Sequence, residues 1–250
     1  MEITLELLLK GKPTIIKEKT FLSTKEYVGE FIELMRKFTD KFVVNVALPA
    51  QITVTNNEED ITFNKVWIQA ILPGNELKET IHLVYALDVK KPCYKIFRTY
   101  SDDERHVVFN EKWIFSGLIK DEETFKLPVK ELMEMENNVP LVIEKMKKTF
   151  LDDDTKYDLL GKLIEKSMLF EKESVTGKVK LSPNIIVKAH ESVYMDATSK
   201  LYKKDQEPTV YDLYIALLEQ VKDGYKKDMV NVFEKSCLTK NLLEEQYESN

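Results

Sequence analysis

Apolar and polar positions follow two regimes along the chain. In the first half, short apolar runs alternate with polar turns. In the second, apolar residues recur at the three-and-four spacing of helices. The most continuous run is 66–72, VWIQAIL, rich in β-branched and aromatic side chains. A run of that length without a polar face reads as a strand buried on both sides. The polar stretch 55–60 precedes it, and Pro73, Gly74 and Asn75 follow as a turn, Pro fixing φ and Gly permitting positive φ. Strand-like runs at 42–48, 52–55, 81–87, 93–98 and 106–109 surround it. Short connections between such runs favour antiparallel neighbours. The expectation is a sheet of about five or six strands, with at least one helical layer packed on it.

Residues 3–9 read as a first strand or short helix, and 14–17 as a short strand. Ser23 and Glu26 stand at capping-box spacing. Val28, Phe31, Ile32, Met35 and Phe38 then share one face of a helix reaching 39. Pro128 and Pro140 suit the first turns of two helices, over 129–136 and up to 150. Leu159, Leu160, Leu163, Ile164, Met168 and Leu169 mark an amphipathic segment, and 174–180 a turn or short hairpin. Ile186, Val187, His190, Val193, Tyr194 and Leu201 follow in rough helical phase. A capped start at 208–212 leads into Leu213, Ile215, Leu217, Leu218 and Val221, with Gly224 as C-cap. A last helix is expected over 227–237, and the acidic tail from Thr239 is expected to fray. The fold class is therefore α+β: a mainly antiparallel sheet in the N-terminal half packed by helices, and a helical C-terminal half. It is read as a single domain, 1–250, sheet-rich over 1–127 and helix-rich over 128–250.

Charge narrows the function classes. Lys and Arg number 37 against 43 Asp and Glu, a net charge of −6. That argues against a broad duplex-DNA footprint, which needs a basic face, but leaves room for a local groove. The two cysteines, Cys93 and Cys237, lie far apart with no CxxC spacing, so they read as buried free thiols of a reducing compartment. The N-terminus lacks a basic leader region, and no apolar run reaches the ~18–20 residues a membrane span needs. A soluble, intracellular protein with no membrane partner is expected.

Catalytic motifs are missing: no P-loop, GxGxxG, GxSxG or DFG pattern occurs. Asp152, Asp153 and Asp154 could offer oxygen ligands to a divalent cation. Without EF-hand spacing they read better as acids at a helix N-terminus. His82, His106 and His190 have no i, i+4 partner and read as sheet or core histidines. Cys237 falls in the apolar phase of its helix, where burial dulls a thiol. No catalytic, cofactor-binding or metal-binding residue is assigned, and no cofactor is implied. One constellation does suggest binding: Lys90, Lys91, Tyr94, Lys95 and Arg98 interleave basic and aromatic side chains, as a surface that stacks single-stranded bases would. The ordinary alternative is an edge strand whose lysines block edge pairing. The acidic residues 102–104 beside it would repel phosphate.

The run 209–220, TVYDLYIALLEQ, resembles the late helix of a family of uncharacterised phage- and plasmid-type proteins, and 94–110 is similar to that family's mid-chain strand pair. Where the family carries a Cys-Thr-Asn or Cys-x-Asn run, this chain has Asp102, Asp103, Glu104 and Arg105. The resemblance implies a mobile-element origin, in the host cytoplasm or the virion, and transfers no catalytic residue. The leading expectation is a non-catalytic binding or assembly protein that contacts a protein partner or a second copy of itself. The alternative is a single-stranded nucleic-acid-binding protein for recombination or counter-defence. A metal-dependent hydrolase built on Asp88, Asp102, Asp103 and Glu104 ranks last.

Overall fold

A computed structural model describes residues 4–10, 14–16, 19–21, 24–45, 52–54, 61–63, 65–74, 77–86, 93–101, 106–107, 115–117, 126–134, 138–173, 178–222 and 229–248. Packing divides the chain into two compact units: residues 1–106 with 110–136, and 107–109 with 137–250. The protein is α+β, with an antiparallel sheet in the N-terminal half and helices dominating the C-terminal half.

The first unit holds α1 (Leu5–Leu8), β1 (Thr14–Ile16), β2 (Lys19–Phe21), α2 (Thr24–Met35), β3 (Phe42–Asn45), β4 (Ile52–Val54), β5 (Ile61–Phe63), β6 (Lys65–Leu72), β7 (Lys78–Ala86) and β8 (Cys93–Ser101). A two-residue β9 begins at His106, followed by β10 (Phe115–Gly117) and α3 (Lys126–Glu134). The main sheet runs β10-β8-β7-β6-β3, with β9 also pairing β8. β6, β7 and β8 form an antiparallel meander in continuous register from Lys65↔Ala86 to Leu72↔Glu79 and from Lys78↔Ser101 to Ala86↔Cys93. β1–β2 and β4–β5 are separate two-stranded ribbons, so the 52–55 run lies outside the main sheet. β8 lies between β10 and β7 rather than at an edge. Lys95, the one lysine on β8, pairs with Ser116 of β10 and so does not guard a free edge, as the ordinary alternative for that strand had it.

Alternation along the strands sends Val66, Ile68, Ala70 and Leu72, with Ile81, Leu83, Tyr94 and Ile96, to one face. There they meet Leu8 of α1, Tyr27, Val28, Phe31, Ile32 and Met35 of α2, and Val129 and Leu132 of α3. Burying each large apolar side chain contributes about 1.5–3 kcal/mol, so this cluster is what holds the helices on the sheet. The turn after α2 is tied to β6: Thr39 Oγ1 donates to the Ile71 carbonyl at 2.6 Å, and Ile71 N donates to the Lys41 carbonyl at 3.0 Å. Phe38, expected inward, is 42% exposed because α2 has ended at Met35 and the chain is turning.

The second unit contains α4 (Val139–Lys148), α5 (Lys156–Leu169), β11 (Glu171–Glu173), β12 (Lys178–Lys180), α6 (Pro183–Tyr194), α7 (Val210–Lys222) and α8 (Met229–Glu248). α7 is its axis: Val210, Asp212 to Leu218 and Val221 are all buried, the all-round burial of a central helix. Its start is fixed by a reciprocal cap. Thr209 N and Oγ1 donate to Asp212 Oδ2 at 2.9 and 2.8 Å, Asp212 N donates to Thr209 Oγ1 at 3.2 Å, and Lys203 Nζ reaches the same carboxylate. The tail expected to fray is helical instead. Thr239, Leu242, Leu243 and Tyr247 are buried on α8, at a three-and-four spacing that the intervening glutamates mask in the sequence. Leu201, expected in phase with α6, lies beyond its end at Tyr194. The Ser23 half of the first capping box, Gly224, and the acidic residues 102–104 lie outside the described residues.

Candidate functional site

Among the described residues, several places hold chemistry or surface beyond simple packing. The first is the second face of the meander, where Trp67, Gln69, Thr80, His82, Lys95, Phe97 and Thr99 are all buried. Register places His82 opposite Gln69 on β6 and Phe97 on β8. Trp67 Nε1 donates to His82 Nδ1 at 2.9 Å, and His82 Nε2 lies 2.7 Å from Thr99 Oγ1. The His82 ring stacks on Phe97, with centroids 4.6 Å apart and planes 7° from parallel. An indole N–H only donates, so Nδ1 carries the lone pair and the neutral ring holds its proton on Nε2, facing Thr99. This is the core histidine that the sequence suggested. Its nitrogens are engaged, which leaves neither free to serve as a base.

The β8 residues proposed for nucleic acid lie on this sheet too. Tyr94, Lys95 and Arg98 are 6, 5 and 5% exposed. Tyr94 joins the apolar cluster beneath α2 and α3. Arg98 Nη1 donates to Glu79 Oε1 at 2.9 Å, and its guanidinium lies 5.4 Å from the Tyr100 ring centroid. Burial, reinforced by Glu79 and opposed by Arg98, pushes the Tyr100 hydroxyl well above its ordinary pKa. Lys90 and Lys91 lie outside the described residues. Sequence spacing identified the basic and aromatic alternation, but it did not show that both faces of β8 are covered.

The second place is the α5–α6 contact. His190 Nε2 lies 3.0 Å from the Lys156 carbonyl, an acceptor only, so Nε2 donates and Nδ1 holds a buried lone pair. His190 Nδ1 and the Tyr194 hydroxyl have no hydrogen-bond partner among the described residues. Burial lowers the His190 pKa; the Lys156 carbonyl acts the other way and the Lys156 charge adds to the fall. Lys156 Nζ pairs with Asp153 Oδ1 at 2.9 Å and lies over the Tyr157 and Tyr194 rings. The aspartate triplet is therefore used locally: Asp153 holds Lys156, and Asp152 Oδ1 accepts from Asp154 N at 2.9 Å. Among the described residues no three His, Cys, Asp or Glu side chains gather as metal ligands. Cys237 is buried on α8. A shallow cleft lined by Lys188, Glu191, Ser192, Met195, Asp196 and Gln220 has its one aspartate already bound, Asp196 accepting from Thr198 N and Oγ1.

The third place is the outer face of α5. Leu159, Leu163 and Ser167 point into the unit, whereas Tyr157, Met168 and Leu169 are 62, 68 and 80% exposed. Tyr157, Gly161, Ile164 and Met168 fall at four-three-four spacing, on a stripe roughly 130° around the helix from the buried face at 100° per residue. The sequence pattern merged these two faces into one amphipathic segment. The signal that separates them is Tyr157 in phase with Met168. Leu141, Phe150 and Met195 are also exposed in this unit. Among the described residues no helix is long and apolar enough to cross a membrane.

Comparison with protein-family models, curated proteins and solved structures found no match.

Proposed function

We propose that the protein is a non-catalytic binding or assembly protein of phage type that acts through protein–protein contacts in the host cytoplasm or the virion. The observation that carries this reading is the outward apolar surface of α5, where Tyr157, Met168 and Leu169 are each more than half exposed. Scattered exposed apolar residues are ordinary on any protein, but Tyr157 and Met168 share one helical phase, and with Leu169 beside Met168 they give α5 an outward apolar surface of the kind that marks interaction sites. A partner covering them would recover about 25 cal/mol for each Å² of apolar surface withdrawn from water. The nucleic-acid alternative fares less well, since Tyr94, Lys95 and Arg98 are buried and Arg98 is committed to Glu79.

The test is site-specific photo-crosslinking in the expressing cell, with the reactive group at position 168 and a control at Lys188 on α6. A discrete protein adduct from position 168 and none from the control is expected. Equal labelling at both positions, or none at either, would remove the reading.

A further inference from the structure

We propose that His190 is an acid-sensitive latch between α5 and α6: as the neutral imidazole it holds the entry turn of α5, residues 152–158, against α6, and on gaining a proton it lets that turn swing out. The latch stands on the α5–α6 contact and does not depend on the outward surface of α5 being a binding face.

The turn is fastened at both ends and lightly held between them. On its N-terminal side Leu151 is buried, Leu151 N donates to the Pro208 carbonyl at 2.7 Å, and Val210 N donates to the Thr149 carbonyl at 2.9 Å. On its C-terminal side Leu159 and Leu163 enter the core of the unit. From 152 to 158 no residue is buried, and Lys156 alone is half-buried. The side chains of the turn bond to one another. Asp152 Oδ1 accepts from Asp154 N, Thr155 Oγ1 donates to the Asp152 carbonyl, and Lys156 Nζ pairs with Asp153. Among the described residues, the hydrogen bond that ties the turn to α6 runs from His190 Nε2 to the Lys156 carbonyl, at 3.0 Å. Two ring contacts accompany it: His190 with Tyr157 at 6.2 Å between centroids, and Lys156 Nζ at 5.9 Å from the Tyr194 centroid. A segment with so little buried apolar surface opens locally at small cost.

A proton acts on this tie through the other ring nitrogen. His190 is 1% exposed, and its Nδ1 has no hydrogen-bond partner among the described residues. Imidazolium donates from both nitrogens, so protonation in place buries an N–H without an acceptor and sets a second cation near Lys156. Glu191 on α6 and the Lys156 carbonyl favour that cation; burial and the Lys156 charge oppose it and prevail. The carboxylates of Asp152, Asp153 and Glu207 act on the neighbouring Tyr194 hydroxyl. On α7, which also packs on α6, Asp212 is held by Lys203 and Thr209, and the remaining charges are Glu219 and Lys222. Once the turn is released, the ring meets water and takes its proton at the ordinary value of 6.5. Each pH unit below that value then favours the open form by up to about tenfold.

The experiment is amide hydrogen exchange of the full chain from about pH 7.5 to 5.5, corrected for the intrinsic pH dependence of exchange. Leu159 N donates to the Thr155 carbonyl at 2.9 Å, and the helical pattern gives Leu160 and Gly161 the carbonyls of Lys156 and Tyr157. These amides report the turn, and those of 163–167 report the rest of α5. Protection of 159–161 should fall about threefold to tenfold between about pH 6.5 and 5.5, with 163–167 unchanged. His190→Gln keeps an N–H for the Lys156 carbonyl and removes the titration, so its 159–161 profile should be flat. The comparison within the wild-type chain decides the matter even where the variant folds poorly. No fall at 159–161, an equal fall at 163–167, or the same fall in a folded His190→Gln protein each overturns the latch.

Discussion

Trp67 and His82, opposite-strand neighbours on β6 and β7, share a hydrogen bond of 2.9 Å that fixes the tautomer of a fully buried imidazole. The donor is the indole, so His82 must present a lone pair at Nδ1 and send its proton to Thr99. Trp67→Phe removes the donor and leaves that lone pair buried without it. The expected loss is about 1–3 kcal/mol of unfolding free energy for an unsatisfied buried acceptor, added to the packing lost with the larger ring. Urea denaturation measures the loss. A nitrogen-correlated NMR spectrum of the histidine rings should show His82 unprotonated at Nδ1 in the wild-type protein.

Arg98 and Glu79 make a second cross-strand link, and it separates a structural role from a nucleic-acid role. Their side chains are 6 and 19% exposed, so removing one charge strands the other in a poorly solvated site. Breaking such a buried pair costs about 3–5 kcal/mol. Arg98→Ala should therefore lower stability steeply, and Arg98→Ala with Glu79→Ala should cost less than the single Arg98 change. Oligonucleotide binding at low salt, if any exists, should not change with these variants. A folded Arg98→Ala protein that loses oligonucleotide affinity and its salt dependence would restore the single-strand reading.

The meander was legible because VWIQAIL has no wet face and Pro73 with Gly74 closes it; β6 spans Lys65–Leu72. The segregation of sheet and helix followed from the change of period between the two halves. What the sequence hid were facts of pairing. Tyr94, Lys95 and Arg98 look like a presentable surface until β7 pairs along the whole of β8, β10 pairs with Tyr94 to Ile96, and both faces close. Ile52 to Val54 looks like part of the main sheet, yet among the described residues it pairs with β5 in a separate ribbon. On α5, Leu163 and Met168 are equally apolar as letters, and only the position of the helix on α6 and α8 decides that one is buried and the other wet.

His190 supplies a dependence on pH. Burial disfavours the imidazolium, so its folded pKa lies below the ordinary 6.5. Between those two values the unfolded chain binds more protons than the folded one. Stability is thus fully present above about pH 6.5 and falls as pH drops below it, levelling once the folded ring protonates. One proton limits the slope to about 1.4 kcal/mol per pH unit. Chemical denaturation at intervals from about pH 7.5 to 5 reads the slope. His190→Gln keeps an N–H for the Lys156 carbonyl without a titrating group, and its curve should be flatter than the wild-type curve over the same interval. Identical curves would show that His190 does not titrate differently on folding.

The C-terminal end of α8 decides whether the second unit has a core that reaches beyond Cys237. Leu242 and Leu243 are fully buried, Tyr247 is 2% exposed, and the Thr239 hydroxyl is satisfied by the Ser236 carbonyl at 2.6 Å. A frayed tail would tolerate alanine anywhere. A packed one loses the transfer energy of the leucine and gains a cavity, about 2–5 kcal/mol for each site. Leu242→Ala and Leu243→Ala should each shift the urea midpoint strongly without changing its slope, while Glu244→Ala, on the partly exposed side of the same turn, should leave it within about 0.5 kcal/mol. Amide hydrogen exchange adds a check that needs no mutation: the amides of 239–247 should exchange at rates near those of α7, because both helices are held by the same buried surface. Rapid exchange throughout that segment, together with a neutral Leu243→Ala, would mean that the helix ends earlier and that the glutamates of the tail prevail over its leucines.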